Sequence, residues 1–170
     1  MHRFSAGGGE RVAAESETFH RDTMIDLTIY AAGEIHSDWR DKLRQALEDL
    51  GVDAEIVGPQ EDHERSDDIG EAILGERPSS RYRDLEGARV NTLRTRVLLA
   101  RADLVVAYFG PKYKQWNTAA DAGWALAAGL PLLLIRDGEL VHALKELDAL
   151  ASMTVETIEA AADAIAYILE

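Results

Sequence analysis

The chain has 170 residues, 46% of them hydrophobic and 29% charged, which suits one soluble domain with a buried core and is too short for two comfortable ones. Eighteen Lys and Arg against 31 Asp and Glu give a net charge of −13, so a nucleic acid polymer would be repelled at long range, whereas a small nucleoside or nucleotide, recognised locally, is not excluded. The absence of cysteine rules out disulfides, thiolate metal sites and cysteine nucleophiles.

Residues 1–23 carry a Gly7-Gly8-Gly9 run, mixed charges and no hydrophobic period; they are expected to be a flexible extension, with a single domain over 24–170. No secretory signal is recognisable, and the apolar runs are strand-sized, well short of a membrane helix. The cytoplasm is therefore the expected compartment, with no membrane partner.

Leu27–Ala31 is a short apolar strand that leads to Gly33. Ser37 is expected to cap a helix running to Leu50, with Trp39, Leu43, Leu47 and Leu50 on one face and Gly51 as the stop. A second strand, Ala54–Val57, ends at Gly58-Pro59, and the charged segment Gln60–Arg83 is expected to be a long loop with one helical turn at Ile69–Leu74. A helix resumes over Leu85–Arg101, with Val90, Leu93, Val97 and Leu98 on one side. Leu104–Phe109 is a near-continuous apolar strand, the pattern of a parallel strand covered on both faces. A small-residue helix, Thr118–Ala128, and a fourth strand, Leu132–Ile135, follow. The segment Glu139–Leu150, a weak strand at Ser152–Val155 and an Ala-rich helix from Glu156 to Ile168 complete the chain.

Strands separated by helices predict an α/β fold: a five-stranded parallel sheet in a flavodoxin-like (Rossmann-like) three-layer sandwich, order 2-1-3-4-5. In that arrangement a ligand lies beyond the carboxyl ends of the strands. The rule selects Tyr30, Gly33, Glu34 and His36 after strand one, and Gly58, Pro59, Gln60 and the run 61–68 after strand two. After strand three it selects Gly110 to Thr118 with Asp121 one turn on, and after strand four Arg136 and Asp137. Polar groups among aromatic side chains suit a flat heterocycle on a hydroxylated ring.

Several of these residues have a plainer reading. Tyr30 suits core-rim packing as well as a site, and Gly33 suits a turn. His63 with Asp62 or Asp67 lacks the spacing of a metal motif and suits a solvated acidic loop better, although a loop of that length is also suited to a lid. Thr118 and Asp121 have the T-x-x-D spacing of a capping box, while Asp121 also suits a carboxylate presented to a sugar's anomeric carbon. Phosphate-binding loops of the G-x-x-x-x-G-K-[ST] and G-x-G-x-x-G types and the G-x-S-x-G elbow are absent from the sequence.

The segments LTIYAAG, RADLVVAYFG and QWNTAADAGWALAAGLPLLLI resemble the nucleoside 2-deoxyribosyltransferase superfamily. YAAGEIHSDWR, VGPQEDHERSDDIGEAILGE, NTLRTRVLLARADLVVAYFG and KYKQWNTAADAGWALAAG resemble its YtoQ branch, over essentially all of residues 25–170. The resemblance implies cleavage of an N-glycosidic bond through a carboxylate nucleophile and a glycosyl-enzyme intermediate, by transfer or hydrolysis. The superfamily's helix-start pattern falls on Gln115 to Ala125, where Thr118, Gly123 and Ala125 match. It implies Asp121 as nucleophile, one methylene shorter than the family's Glu, and Tyr30 as its orienting partner. Gln115 stands where the family has a sugar-binding Asp, and Thr95 stands where it has an acid for the departing base.

The expected substrate is thus a nucleoside or nucleotide. Gln115, Asn117 and Thr118 are expected to hold the sugar, with Gly33 at the turn beside it. Gln60 and the His63–Asp68 stretch, Asp67 included, are expected to face the base or close the site, with His63, Asp67 and Asp68 as candidates for the missing acid. No metal or organic cofactor is implied. A homodimer or larger homo-oligomer is implied by the superfamily and fits the aromatics Tyr113 and Trp116. The alternative class is a non-catalytic nucleoside- or nucleotide-binding sensor on the same fold.

Overall fold

A computed structural model describes residues 26–112 and 114–170. The expected extension at 1–23 and Tyr113 lie outside the described residues. Five strands, β1 (Leu27–Ala32), β2 (Ala54–Val57), β3 (Leu104–Phe109), β4 (Leu132–Arg136) and β5 (Met153–Val155), form one sheet in the order β2-β1-β3-β4-β5. Every neighbouring pair is parallel, so the α/β architecture and strand order expected from the sequence hold.

The two-residue period of the strands divides the core into two layers. Leu27, Ile29 and Ala31 of β1 join Trp39, Leu43 and Leu47 of α1 (Trp39–Asp49) and Ala161, Ala162 and Ile165 of α6 (Ile158–Ile168) on one face. Tyr30 and Ala32 face the other layer, with Leu99 of α3 (Ser80–Leu99) and Ala122 and Ala125 of α4 (Trp116–Ala127). The alternation that packs β1 therefore also aims Tyr30 at α3 and α4. A short 3-10 turn (Gly138–Leu140) and α5 (Lys145–Leu150) divide the segment between β4 and β5.

The largest departure is the stretch expected to be a loop with one helical turn at Ile69–Leu74: the turn is there, as the end of a longer helix. Residues His63–Leu74 form a helix, α2, and α3 begins at Ser80. Asp62 caps α2 by accepting from the backbone N–H of Arg65 at 3.0 Å, the local signal that favours a helix start here. The helix lacks an apolar stripe because it packs through Gly70 against Gly87 of α3. A Cβ on Gly70 would fall 2.6 Å from the Gly87 backbone nitrogen. Asn91 of α3 secures the pair by donating through Nδ2 to the Ser66 carbonyl at 3.0 Å and to Ser66 Oγ at 3.1 Å.

The face expected to be buried on α3 is also corrected: Leu93 is 63% exposed and Val97 is exposed, while Gly87 and Leu99 are the buried residues. Gly70→Ala should destabilise the protein by about 1–3 kcal/mol by forcing two backbones apart, outweighing the ~1 kcal/mol that alanine gains in a free helix. Urea unfolding checks this, and a stabilised variant would contradict the close helix contact.

Candidate active site

The turn after β1 is held from α1. Arg40, 2% exposed, donates through Nε to the Ala31 carbonyl at 3.1 Å, through Nη2 to Gly33 at 2.9 Å and through Nη1 to Glu34 at 2.8 Å. Trp39 Nε1 donates to the same Glu34 carbonyl at 3.0 Å. The Trp39 ring stacks on Tyr108 and carries the Arg40 guanidinium 4.5 Å from its centroid. Gly33 is required by space and not by a left-handed turn: a Cβ there would lie 2.5 Å from the Trp39 ring. Ser37 is not the helix cap. Asp38 occupies that position, and the Ser37 hydroxyl donates to the Glu34 carboxylate.

Helix α4 begins earlier than expected, at Trp116, with Gln115 as its N-cap at φ 33°, left-handed backbone for a residue other than glycine. Gln115 Nε2 donates to the Gly110 carbonyl at 3.1 Å and the Lys112 carbonyl at 2.8 Å, bonds that tie down the loop after β3 and that a carboxylate could not make. Its Oε1 is buried with no protein partner. The early start places Thr118, buried, within the first turn, so the expected T-x-x-D cap is not formed.

Asp121 bonds elsewhere. The buried Tyr30 hydroxyl donates to Asp121 Oδ2 at 3.0 Å and lies 3.2 Å from Thr95 Oγ1. A phenol has one proton to give, so with that proton on Asp121 the Thr95 hydroxyl donates to Tyr30. The result is a chain from Thr95 through Tyr30 to Asp121. Burial, then the negative charge of Asp121, push the Tyr30 phenol far above its ordinary range and keep it a donor. Burial also raises Asp121 from 3.8 to about 6, against the hydrogen bond from Tyr30 and the positive charge of Arg40, which both favour the carboxylate.

Asp121 lines a cavity of about 940 Å³ at the strand ends, within the size range of small-molecule sites. The same cavity brings together Gly33, Gln60, His63, Asp67, Gln115, Asn117 and Thr118, all singled out from the sequence, with Glu34, His36 and Trp116. Tyr30 reaches it through Asp121. Asp68, Arg136 and Asp137 are not among its lining residues. Arg136 is instead engaged with Asp148, at 2.8 Å from both Nε and Nη2.

Residues not foreseen as site groups include Asn91, Thr92 and Arg94 on α3 and Trp124 on α4. Arg94 Nε donates to the Gly58 carbonyl at 3.1 Å, which fixes α3 to the end of β2. Among the described residues no group of three or more His, Asp or Glu could hold a metal ion, and no described helix is long and apolar enough to cross a membrane.

Tyr30→Phe removes the one donor that favours the ionised form of Asp121. The pH below which any Asp121-dependent turnover declines should move upward by about half a unit to one unit. A profile of kcat/KM against pH reads this directly, and an unmoved acid limb would deny the coupling.

A parallel α/β sheet with a polar crevice at its switch point, floored by a buried phenol and a carboxylate, is the class of structure defined here. The sequence profile of the family described as nucleoside 2-deoxyribosyltransferase YtoQ matches residues 30–169, and the chain belongs to that family. It is 47% identical over 146 residues to the uncharacterized protein YtoQ of Bacillus subtilis (strain 168), a match that covers 86% of this chain and 99% of that protein.

Among solved structures, the 2-deoxyribosyltransferase of Bacillus psychrosaccharolyticus superposes with a TM-score of 0.58 at 19% identity, covering 81% of this chain and 91% of that one. A conserved protein from Enterococcus faecalis V583 gives 0.58 at 18% identity, covering 85% and 99%. These structures share the fold.

Proposed function

We propose that the protein breaks or exchanges the N-glycosidic bond of a nucleoside or nucleotide, with Asp121 as the nucleophile and Tyr30 as its positioning partner. The observation that carries this reading is a cavity-lining carboxylate with one oxygen, Oδ2, held by a buried phenol. That bond leaves Oδ1 for the anomeric carbon. As the carbon–nitrogen bond lengthens, positive charge develops on the sugar, and a carboxylate already stripped of much of its water stabilises that charge strongly. At pH 7 a group that titrates at about 6 is still mostly ionised, so it remains a competent nucleophile while being more basic than an exposed Asp.

Asn117 and Thr118 offer hydrogen bonds to sugar hydroxyls from the start of α4. Gln115, its amide spent on the loop and its Oε1 enclosed, serves the sugar by holding the loop and the start of α4 in place. Membership of the family and the shared fold support chemistry on nucleosides. The exposed Trp116 and Leu93, at 74% and 63%, support the reading of a homo-oligomer.

Incubation with deoxyribonucleosides, ribonucleosides and their monophosphates, with and without a free acceptor base, measures base release and exchange. A 2-fluoro sugar analogue should add covalently to the wild type, as read by intact mass, and not to Asp121→Ala. Nucleoside-induced thermal stabilisation without turnover or adduct would replace this reading with that of a binding protein. The observation that favours this second reading is that Thr95, already bonded to Tyr30, cannot serve as an acid.

A further inference from the structure

The departing base needs a proton, because a base anion leaves a sugar slowly. Within the cavity, Glu34 is an engaged acceptor: the backbone N–H groups of His36 and Ser37 and the Ser37 hydroxyl all donate to its carboxylate. Arg94 holds the Gly58 carbonyl, and a guanidinium does not release its proton. With Asp121 taken as the nucleophile, the remaining side-chain type suited to proton donation at neutral pH is the imidazole, and two imidazoles meet in the cavity. The rings of His36 and His63 pack edge to face with centroids 5.3 Å apart, and Asp67, one turn along α2, lies 3.7 Å from His63 Nε2. His36, His63 and Asp67 all line the cavity that holds Asp121.

We propose that His63 is the catalytic acid for the departing base, with Asp67 and His36 as positioning residues; this rests on the carboxylate-nucleophile reading above. His63 is the first residue of α2, so its ring stands at the end of the helix that lines the cavity. Asp67, one turn along the same helix, lies beside one ring nitrogen and leaves the other to the cavity. The other ionisable groups round the cavity are Glu34 and His36 from the first turn, Asp84 and Arg94 from α3, Lys114 before α4, and Asp121.

In the first step Asp121 Oδ1 bonds to the anomeric carbon and the carbon–nitrogen bond breaks. The bonding pair passes to the base nitrogen, and the base takes the proton from the ring nitrogen of His63 that does not face Asp67. In the second step water, or the nitrogen of an acceptor base, attacks the same carbon. The Asp121 carboxylate departs and neutral His63 accepts the attacking group's proton, which restores both side chains.

The test compares 2′-deoxyguanosine, or its 5′-monophosphate, with the 7-methyl form, whose base is already cationic and leaves without being protonated. His63→Gln should lower kcat/KM for the unmethylated substrate by about 100-fold or more and for the methylated one by less than about threefold. Asp67 only positions the ring, so Asp67→Asn should lower kcat/KM for the unmethylated substrate by about tenfold and leave the methylated one within about threefold. Equal losses on both substrates, or no loss on either, would overturn the assignment of His63. A wild-type protein that turns over neither substrate and forms no adduct with the fluorinated sugar would instead defeat the nucleophile reading, and this assignment with it.

Discussion

Asp121→Asn should lose turnover by about a thousandfold or more, form no covalent adduct, and nonetheless be the more stable protein at pH 7. Asparagine keeps an oxygen that accepts from Tyr30, so the geometry at 3.0 Å survives, but an amide neither attacks an anomeric carbon nor balances its charge. Burial lifts the folded-state pKa of Asp121 from 3.8 to about 6, so the folded protein binds its proton more tightly than the unfolded chain does. Wild-type stability therefore rises as pH falls through about 6, and the cost of the buried charge is fully present above that value. The variant escapes that cost, which is about 2 kcal/mol once partial exposure is allowed for. Denaturation at pH 8 should show the full difference, and at pH 4 almost none. A variant less stable than the wild type at both values would mean that the carboxylate is well solvated.

Arg40→Met should destabilise the fold by about 2–4 kcal/mol. The substitution leaves the carbonyls of Ala31 and Gly33 without the donors that now hold them and that of Glu34 with Trp39 Nε1 alone, and each lost bond came from a charged group. Part of the loss is returned because a desolvated guanidinium, its pKa lowered chiefly by burial, is no longer enclosed. Arg40→Lys should not restore stability, since one ammonium on a flexible stem cannot span three carbonyls as the planar fork does. Both variants should also test the site. Methionine removes a positive charge that favours the ionised form of Asp121, so its acid limb should rise above that of the wild type, whereas lysine should largely keep it in place. Denaturant midpoints and pH profiles on the same samples separate the two effects, and an unchanged midpoint for Arg40→Met would refute the clamp.

The sheet was legible because its strands are short, apolar and β-branched and its breaks fall on glycine and proline. The cavity was legible because a parallel sheet presents its ligand edge at the ends of its strands. Helix α2 was not. Ordinary helix reading looks for an apolar stripe, and α2 packs through Gly70 while Ser66 and Asp67 face the cavity. The Asp62 cap was the available signal. Arg40 escaped notice because charged helix residues usually face water, although at 100° per residue it lies within about 20° of Leu47 on the buried stripe. The box at Thr118 and Asp121 misled for a different reason. Spacing alone cannot reveal that Tyr30, 91 residues away in sequence, takes the carboxylate first.

Tyr30 is fully buried among Ala32, Val105, Ala107 and Ala122, yet its far end touches the carboxylate. A methyl group added or deleted in that layer would tilt the ring, and small tilts are magnified over the length of a phenol. Interior substitutions that leave thermal tolerance almost untouched should therefore surface first as lost selectivity or rate. Any attempt to re-engineer the pocket will have to be conducted from the middle of the molecule outward.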